Sequence, residues 1–333
     1  MTDKMRAVHR RDHNFFQETD MTNPLRPALA DRPFGVHFRL PRWKSLIVLI
    51  AVPLLLLVVQ VLVFHAVAMI EGPADPLMPR LTPLTLLASG ISTAITALIA
   101  TVLVARLAKI PWRSVFSHGR KFDWRRLGLY FAVSAVPVGL SVIATALIAP
   151  QSTGWVNFEV GATTIVIILV TLVATPLQAA GEEVAFRGAV VPAAGSWFRS
   201  VRPAILLGII LSGALFALVH VSFDPWFVSY MFVFTACTVS MGLISGGLEA
   251  AMAFHVSNNL VVSILNALFA GNDATVVDRA SGSGPGASLA ILMVMNVAAV
   301  GMVWLIERRK RSSNGTKVPA SAGQVDPNVA LHL

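Results

Sequence analysis

Hydrophobic positions along this chain gather into eight runs, at about 46–70, 83–105, 127–149, 161–180, 203–221, 226–245, 249–270 and 288–306, divided by short polar connections. A helix needs about 20 apolar residues to cross the hydrocarbon core of a bilayer, so each run reads as a membrane span. The pattern predicts an all-α, polytopic membrane protein of about eight transmembrane helices, with any functional site inside the helix bundle. Composition agrees: 55% of the 333 residues are hydrophobic, 13% are charged and the mean hydropathy is +0.71, more apolar surface than a soluble domain of this length needs.

Charge fixes the expected orientation. Nine of the 26 Lys and Arg lie in residues 1–45, seven between Arg106 and Arg126, two at Arg199 and Arg202, and five after Glu307. The alternate connections hold only Arg80 and Arg279. Positive charge stays on the cytoplasmic side, so both termini are expected there, in a plasma or inner membrane. The net charge of +9 is then a matter of topology and anionic lipid, and with no basic domain outside the spans a nucleic-acid partner is excluded. Cys237 is the single cysteine, so no internal disulfide can form.

Five regions follow. Residues 1–45, basic and broken by Pro24, Pro27, Pro33 and Pro41, read as a disordered cytoplasmic arm. The first apolar run is too long for a cleavable signal peptide and is expected to remain as a span. Residues 46–150 hold spans one to three and residues 160–270 spans four to seven. An extracytoplasmic loop and span eight fill 271–310, and 311–333 read as a disordered tail.

Polar residues inside the spans carry the candidate chemistry. The run Gly181-Glu182-Glu183-Val184-Ala185-Phe186-Arg187-Gly188 puts three ionisable groups at the end of span four. Each costs roughly 2.5–3.5 kcal/mol near a helix centre in lipid unless it is paired, wetted or used. Glu183 and Arg187, four apart, share a helix face and can neutralise each other. Glu182 points about 100° away and is left over. An unpaired carboxylate at low dielectric suits general acid or base work. Placement in the headgroup layer beside Arg187 is the structural alternative. His220 follows Phe216 by one turn in span five, where a hydrogen-bonded core histidine is the plainer reading. In span seven, His255 and Asn259 share a face, and both can donate hydrogen bonds to a polarised carbonyl oxygen. A polar pair tying two helices together is the alternative there. Three apolar helices, each with such a cluster, together supply the needs of peptide-bond hydrolysis. His65, Gln178 and Glu249 have simpler explanations; Glu249, at a helix start, meets the helix dipole.

In order and spacing these residues resemble the CPBP intramembrane proteases, which include CAAX prenyl endopeptidases and bacteriocin-processing or immunity proteins. Glu182-Glu183-x-x-x-Arg187, Phe216-x-x-x-His220 and His255-x-x-x-Asn259 carry the resemblance, over about residues 160–270. It implies a membrane endopeptidase in which Glu182 and His220 activate water, His255 and Asn259 form the oxyanion hole, and Glu183, Arg187 and Phe216 support the site. Such proteins have been described as metallo- and as glutamate-dependent proteases. His-Glu-x-x-His is absent, and no cofactor is expected. Glu182, His220 and His255 are the three ligands a zinc ion would take. The substrate would be a peptide or membrane protein, lipidated or not. The competing readings are a non-catalytic immunity or scaffold protein and a proton-coupled transporter. One tension remains: His220 lies about 25 Å into span five at 1.5 Å per residue, whereas Glu182 and His255 lie nearer the basic side. Either span five starts shallower, or spans four, six and seven are tilted, displaced or broken around Gly181, Gly246 and Gly247, and the three are expected to meet around a polar cavity.

Overall fold

In the computed structural model, which describes residues 32–72, 82–221, 223–269 and 286–315, all eight runs are helices. They are α1 (Arg42–Glu71), α2 (Pro83–Ala108), α3 (Trp124–Ile148), α4 (Ala162–Gly195), α5 (Val201–Val219), α6 (Pro225–Ser245), α7 (Glu249–Phe269) and α8 (Gly286–Gly315). Each is long and apolar enough to cross a membrane, so the chain is an all-α, polytopic membrane protein. The helices begin where the sequence supplies acceptors for their first N–H groups. Thr82 and Thr85 form a capping box for α2, Asp123 accepts from the amides of Arg125 and Arg126, and Asp224 accepts from Phe227 with Pro225 behind it. Gly246, at φ +73°, ends α6 in the left-handed conformation that glycine adopts without strain.

The 34-residue α4 overturns the expected end of span four near residue 180. The helix continues through the charged motif as an α-helix to Glu183, a π-helical stretch over Val184–Val190 and a last α-helical turn over Val191–Gly195. At 1.5 Å per residue it is about 51 Å long, far more than a bilayer core requires. The charges do not stop it because they meet protein rather than lipid: every residue from Gly181 to Ser196 is buried. This half of α4 is enclosed on all sides by the bundle, whereas the first half exposes Ile165, Leu169 and Val173. Pro192 cannot donate a helical hydrogen bond, and the wide π turns lie directly before it.

Small residues let α2 approach α4 backbone to backbone. A Cβ at Gly90 would lie 2.7 Å from the Ala174 carbonyl oxygen, and one at Gly181 would lie 2.8 Å from the Thr93 carbonyl. Such small-residue contacts are a common means of membrane helix association. α7 packs against α3, α4 and α6, and α8 against α3 and α6. At one end of α8, Tyr130 donates to Glu307 (2.7 Å) and Arg126 pairs with the same carboxylate (2.9 Å).

The expected arm of residues 1–45 requires correction over its last part; residues 1–31 lie outside the described residues. Phe34, Val36, Phe38 and Leu40 are buried, Leu40 N–H donates to Ser196 Oγ (3.0 Å), and Ser45 Oγ donates to the Ala193 carbonyl (2.6 Å). The segment is a run of turns and bends, with Gly35 at φ +87° and Val36 N–H donating to the Pro33 carbonyl, and it folds these apolar side chains inward with Gly35 and His37 against the end of α4. Of the expected tail, residues 311–315 are helical and 316–333 lie outside the described residues, as do 270–285 of the loop before α8.

Glu249 has a larger role than its position at a helix start suggests. Its carboxylate is fully buried, forms a two-pronged pair with the Arg120 guanidinium and accepts from the Asp123 amide (2.9 Å). Arg120 also donates to the Ser245 carbonyl (2.9 Å), while Leu248 N–H donates to Phe116 O (2.8 Å) and Ser117 bridges Gly247. The α2–α3 connection is thereby fastened over the α6–α7 turn. Removing one partner of a buried ion pair leaves an uncompensated charge. Arg120→Ala is therefore expected to cost about 3–5 kcal/mol, read as a lowered unfolding midpoint in detergent, with Arg120→Lys intermediate.

His37 offers a pH test. It accepts from the Gly35 amide through Nδ1 (3.2 Å) and donates to the Ser114 carbonyl through Nε2 (2.8 Å), which describes a neutral ring with both nitrogens used. Burial, with His118 beside it, pushes its pKa down to about 3. An unfolded histidine titrates near 6.5, so between those values the unfolded chain binds a proton that the folded chain refuses. Stability from this group is complete above about pH 6.5 and falls as pH drops toward 3. His37→Phe should flatten that part of the stability–pH curve, measured by thermal unfolding between pH 4 and 8.

Candidate functional site

The charged motif of α4 faces α6 and α7 in the bundle interior. Glu183 is fully buried, and Arg187 Nε lies 3.4 Å from its Oε2. Two further helices hold the guanidinium. Nε donates to Thr238 Oγ1 (2.8 Å) and Nη2 to Thr235 Oγ1 (3.2 Å), both on α6. Thr238 in turn donates to the Phe234 carbonyl, which leaves its oxygen lone pair free to accept. The rings of Phe216 on α5 and Phe234 on α6 lie 4.5 and 5.5 Å from the guanidinium carbon, in cation–π range.

His255 reaches the other side of the same carboxylate. Its Nδ1 lies 2.8 Å from Glu183 Oε1, and an ionised Glu183 can only accept, so Nδ1 donates. The ring packs edge-on to Phe234 (centroids 4.7 Å) and Phe216 (6.3 Å), leaving Nε2 turned toward Glu182 Oε2 at 3.6 Å. Glu182 Oε1 accepts from Gln178 Nε2 (2.6 Å), while Oε2 is buried with no hydrogen-bond partner among the described residues. The structure thus brings Glu182, Glu183, Arg187 and His255 into one cluster buried in the bundle interior rather than at an exposed helix end.

Gln178 is the residue that sequence reasoning set aside. Its amide donates to Glu182 and its carbonyl accepts from Asn259 Nδ2 (3.3 Å), joining the free carboxylate to the asparagine of α7. The available signal was its spacing, one turn before Glu182 on the same helix face. Asn258 Nδ2 donates to Asn259 Oδ1 (3.1 Å) and completes the chain.

His220 stands at the edge. It caps the end of α5, where its Nδ1 lies 2.7 Å from the Phe216 carbonyl, and the half-buried ring contacts Phe216 (4.6 Å) and Phe227 (5.9 Å). Among the described residues it forms neither a hydrogen bond nor an ion pair with Glu182; the Phe216 ring, which touches both histidine rings, links it to His255. Val221 follows at φ +53°, a left-handed conformation that β-branched residues rarely adopt. The depth tension largely disappears because α4 continues for twelve residues beyond Glu183, about 18 Å, so the motif is well inside the bundle.

Glu182, His220 and His255 do not converge as metal ligands in this arrangement, nor do any three His, Cys, Asp or Glu among the described residues. A cavity of about 1030 Å³ lies beside α4 and α7, but its walls are mainly apolar, including Ala97, Leu177, Gly181, Val184, Ala253 and Val256, and none of the site residues lines it.

Comparison with known proteins bears on the same stretch. Residues 161–261 match the family model described as type II CAAX prenyl endopeptidase Rce1-like, the group to which the three motifs are similar. The uncharacterized protein YyaK of Bacillus subtilis (strain 168) is 26% identical over 165 residues, 46% of this chain and 52% of that protein. The chain thus spans about half the length of the curated relative it matches. No solved structure matches. The matched span runs from the start of α4 through His255 and Asn259 and so takes in all three motifs.

The Arg187 anchorage is testable apart from activity. A hydrogen bond to a buried charge is worth about 1.5–3 kcal/mol, so Thr238→Val should lower stability by about that amount. Thr238→Ser, which keeps the acceptor, should recover most of it in the same thermal unfolding experiment.

Proposed function

We propose that this chain is an intramembrane endopeptidase that uses Glu182 to activate water, with no metal ion. The observation that carries the reading is a buried carboxylate oxygen without a hydrogen-bond partner, Glu182 Oε2, facing the free nitrogen of His255 in a cluster whose other charges are already paired. Glu182 takes a proton as water attacks the scissile carbonyl carbon. The oxyanion that forms is held by Asn259 Nδ2 and by His255 Nε2, which donates when the ring carries both protons. The C–N bond then breaks as Glu182 returns the proton to the leaving amine. Glu183 and Arg187 fix the His255 ring, and Gln178 holds Glu182 and Asn259 at a set separation. His220, at the edge of the site, assists the attacking water from the side opposite His255.

The basic flanks support a multi-pass protein of the plasma or inner membrane with both termini in the cytoplasm. The substrate is a peptide or membrane protein presented within the bilayer; CAAX-type similarity supports a lipid-bearing substrate without requiring one. Packing of α2 on α4 and of α3 on α7 supports one bundle in which residues 46–150 serve as the frame for 160–270.

The test is cleavage of a quenched-fluorescent peptide library by purified protein in detergent. Glu182→Gln, nearly isosteric and able to keep the Gln178 contact, should lose about 10²–10⁴-fold in rate, the usual worth of a general base. A strong chelator should leave the wild type active. Equal rates for wild type and Glu182→Gln would remove Glu182 from the chemistry, and inhibition by chelator restored by zinc would replace the metal-free mechanism.

A further inference from the structure

The cavity of about 1030 Å³ is separate from the catalytic cluster and has no part in the chemistry above. It is bounded by α2, α3, α4 and α7, and its walls are overwhelmingly apolar. At one end the α2–α3 connection changes its character. There Trp112, Arg113, Lys121 and Trp124 border the cavity. All four are exposed; Arg113 stacks on the Trp112 ring at 5.2 Å, and among the described residues neither Arg113 nor Lys121 has an ion-pair partner. The nearby acidic groups are committed elsewhere: Glu249 is covered by Arg120, and Asp123 caps the first turn of α3. An apolar trough that ends in two free cations and two tryptophans has the polarity of a phospholipid, with tails in the trough and an anionic phosphate at the rim. Tryptophan belongs at the level of lipid headgroups, and basic pockets between membrane helices bind anionic lipids.

We propose that this cavity binds an anionic glycerophospholipid of the bilayer, with its headgroup on Arg113 and Lys121 and its acyl chains between α2, α3, α4 and α7. The same walls back the catalytic helices: Gly181 and Val184 flank the Glu182–Glu183 pair, and Ala253 and Val256 flank His255. The lipid therefore fills the space behind the two helices that carry the site, and its presence stiffens them. This inference stands on the cavity and its rim alone, independent of whether the chain cleaves peptides.

The experiment uses the full chain in neutral detergent, titrated with phosphatidylglycerol or phosphatidylcholine of matched acyl chains and read by native mass spectrometry and unfolding midpoint. Wild type should prefer phosphatidylglycerol by about 30-fold, the combined worth of two basic side chains near a membrane surface. Arg113→Glu with Lys121→Glu should abolish the preference while leaving the lipid-free midpoint unchanged. If that variant does not fold, Arg113→Gln with Lys121→Gln reports the same loss. Gly128→Trp should cut binding of both lipids, because Gly128 lines the cavity and has no atom within 4 Å where a side chain would enter. Equal affinity of wild type for the two lipids, or a preference that survives the charge changes, would overturn the proposal. So would tighter retention of an isoprenoid-bearing peptide that is lost in Gly128→Trp, which would assign the trough to a substrate's own lipid.

Discussion

The ionic cluster at the centre of the bundle sets conditions that the surrounding helices must meet together. Two carboxylates, a guanidinium and an imidazole are almost wholly removed from solvent. Each charge carries a desolvation cost of several kcal/mol that only close, well-oriented partners offset. Glu183 is shared between Arg187 and His255, so α4 and α7 are held at one separation. Arg187 needs the two threonine hydroxyls of α6 and the faces of Phe216 and Phe234, so α5 and α6 are held as well. Glu183 Oε2 also lacks a hydrogen bond but lies 3.4 Å from the Arg187 guanidinium, whereas Glu182 Oε2 faces only the His255 ring.

Much of this was legible in the chain itself, for a physical reason. Length and hydropathy decide whether a helix can cross a bilayer, and those are one-dimensional properties; all eight helices fall where the apolar runs lie. The i, i+4 spacing of Glu183 and Arg187 is equally local, and the structure shows the pair. Contacts between distant segments were less visible. A run of charges reads as the end of a span when lipid is assumed to surround it, and only the burial of Gly181–Ser196 shows that α4 continues. The alternation from Phe34 to Leu40 is plain in the sequence, yet four prolines and a high basic content masked it. Arg120 and Glu249 lie 129 residues apart, and nothing local marks them as partners. Gln178 has helical spacing to Glu182, but its second partner, Asn259, is on another helix.

α4 and α7 each present two unlike faces. One carries Gln178, Glu182, Glu183, His255 and Asn259 into the polar interior, and the other carries Leu177, Gly181, Val184, Ala253 and Val256 to an apolar cavity. Neighbouring residues thus divide between a chemical surface and a packing surface, as the 100° advance per residue of a helix requires. The π-helical stretch widens the turns between Glu183 and Val191 and changes that advance within the motif. A uniformly α-helical segment would place Arg187 differently with respect to the threonines of α6.

The approach of Gly181 to the Thr93 carbonyl has a consequence for how anything reaches the site. A backbone-to-backbone contact with no room for a methyl group leaves no side chains to slide or rotate out of the way. The seam between α2 and α4 therefore behaves as a hinge post, fixed one residue from Glu182. Side chains that can move lie instead at the α5–α6 corner. Half-buried His220, strained Val221 and the highly exposed Phe223 lie there along the chain, with the charged cluster one aromatic ring behind them.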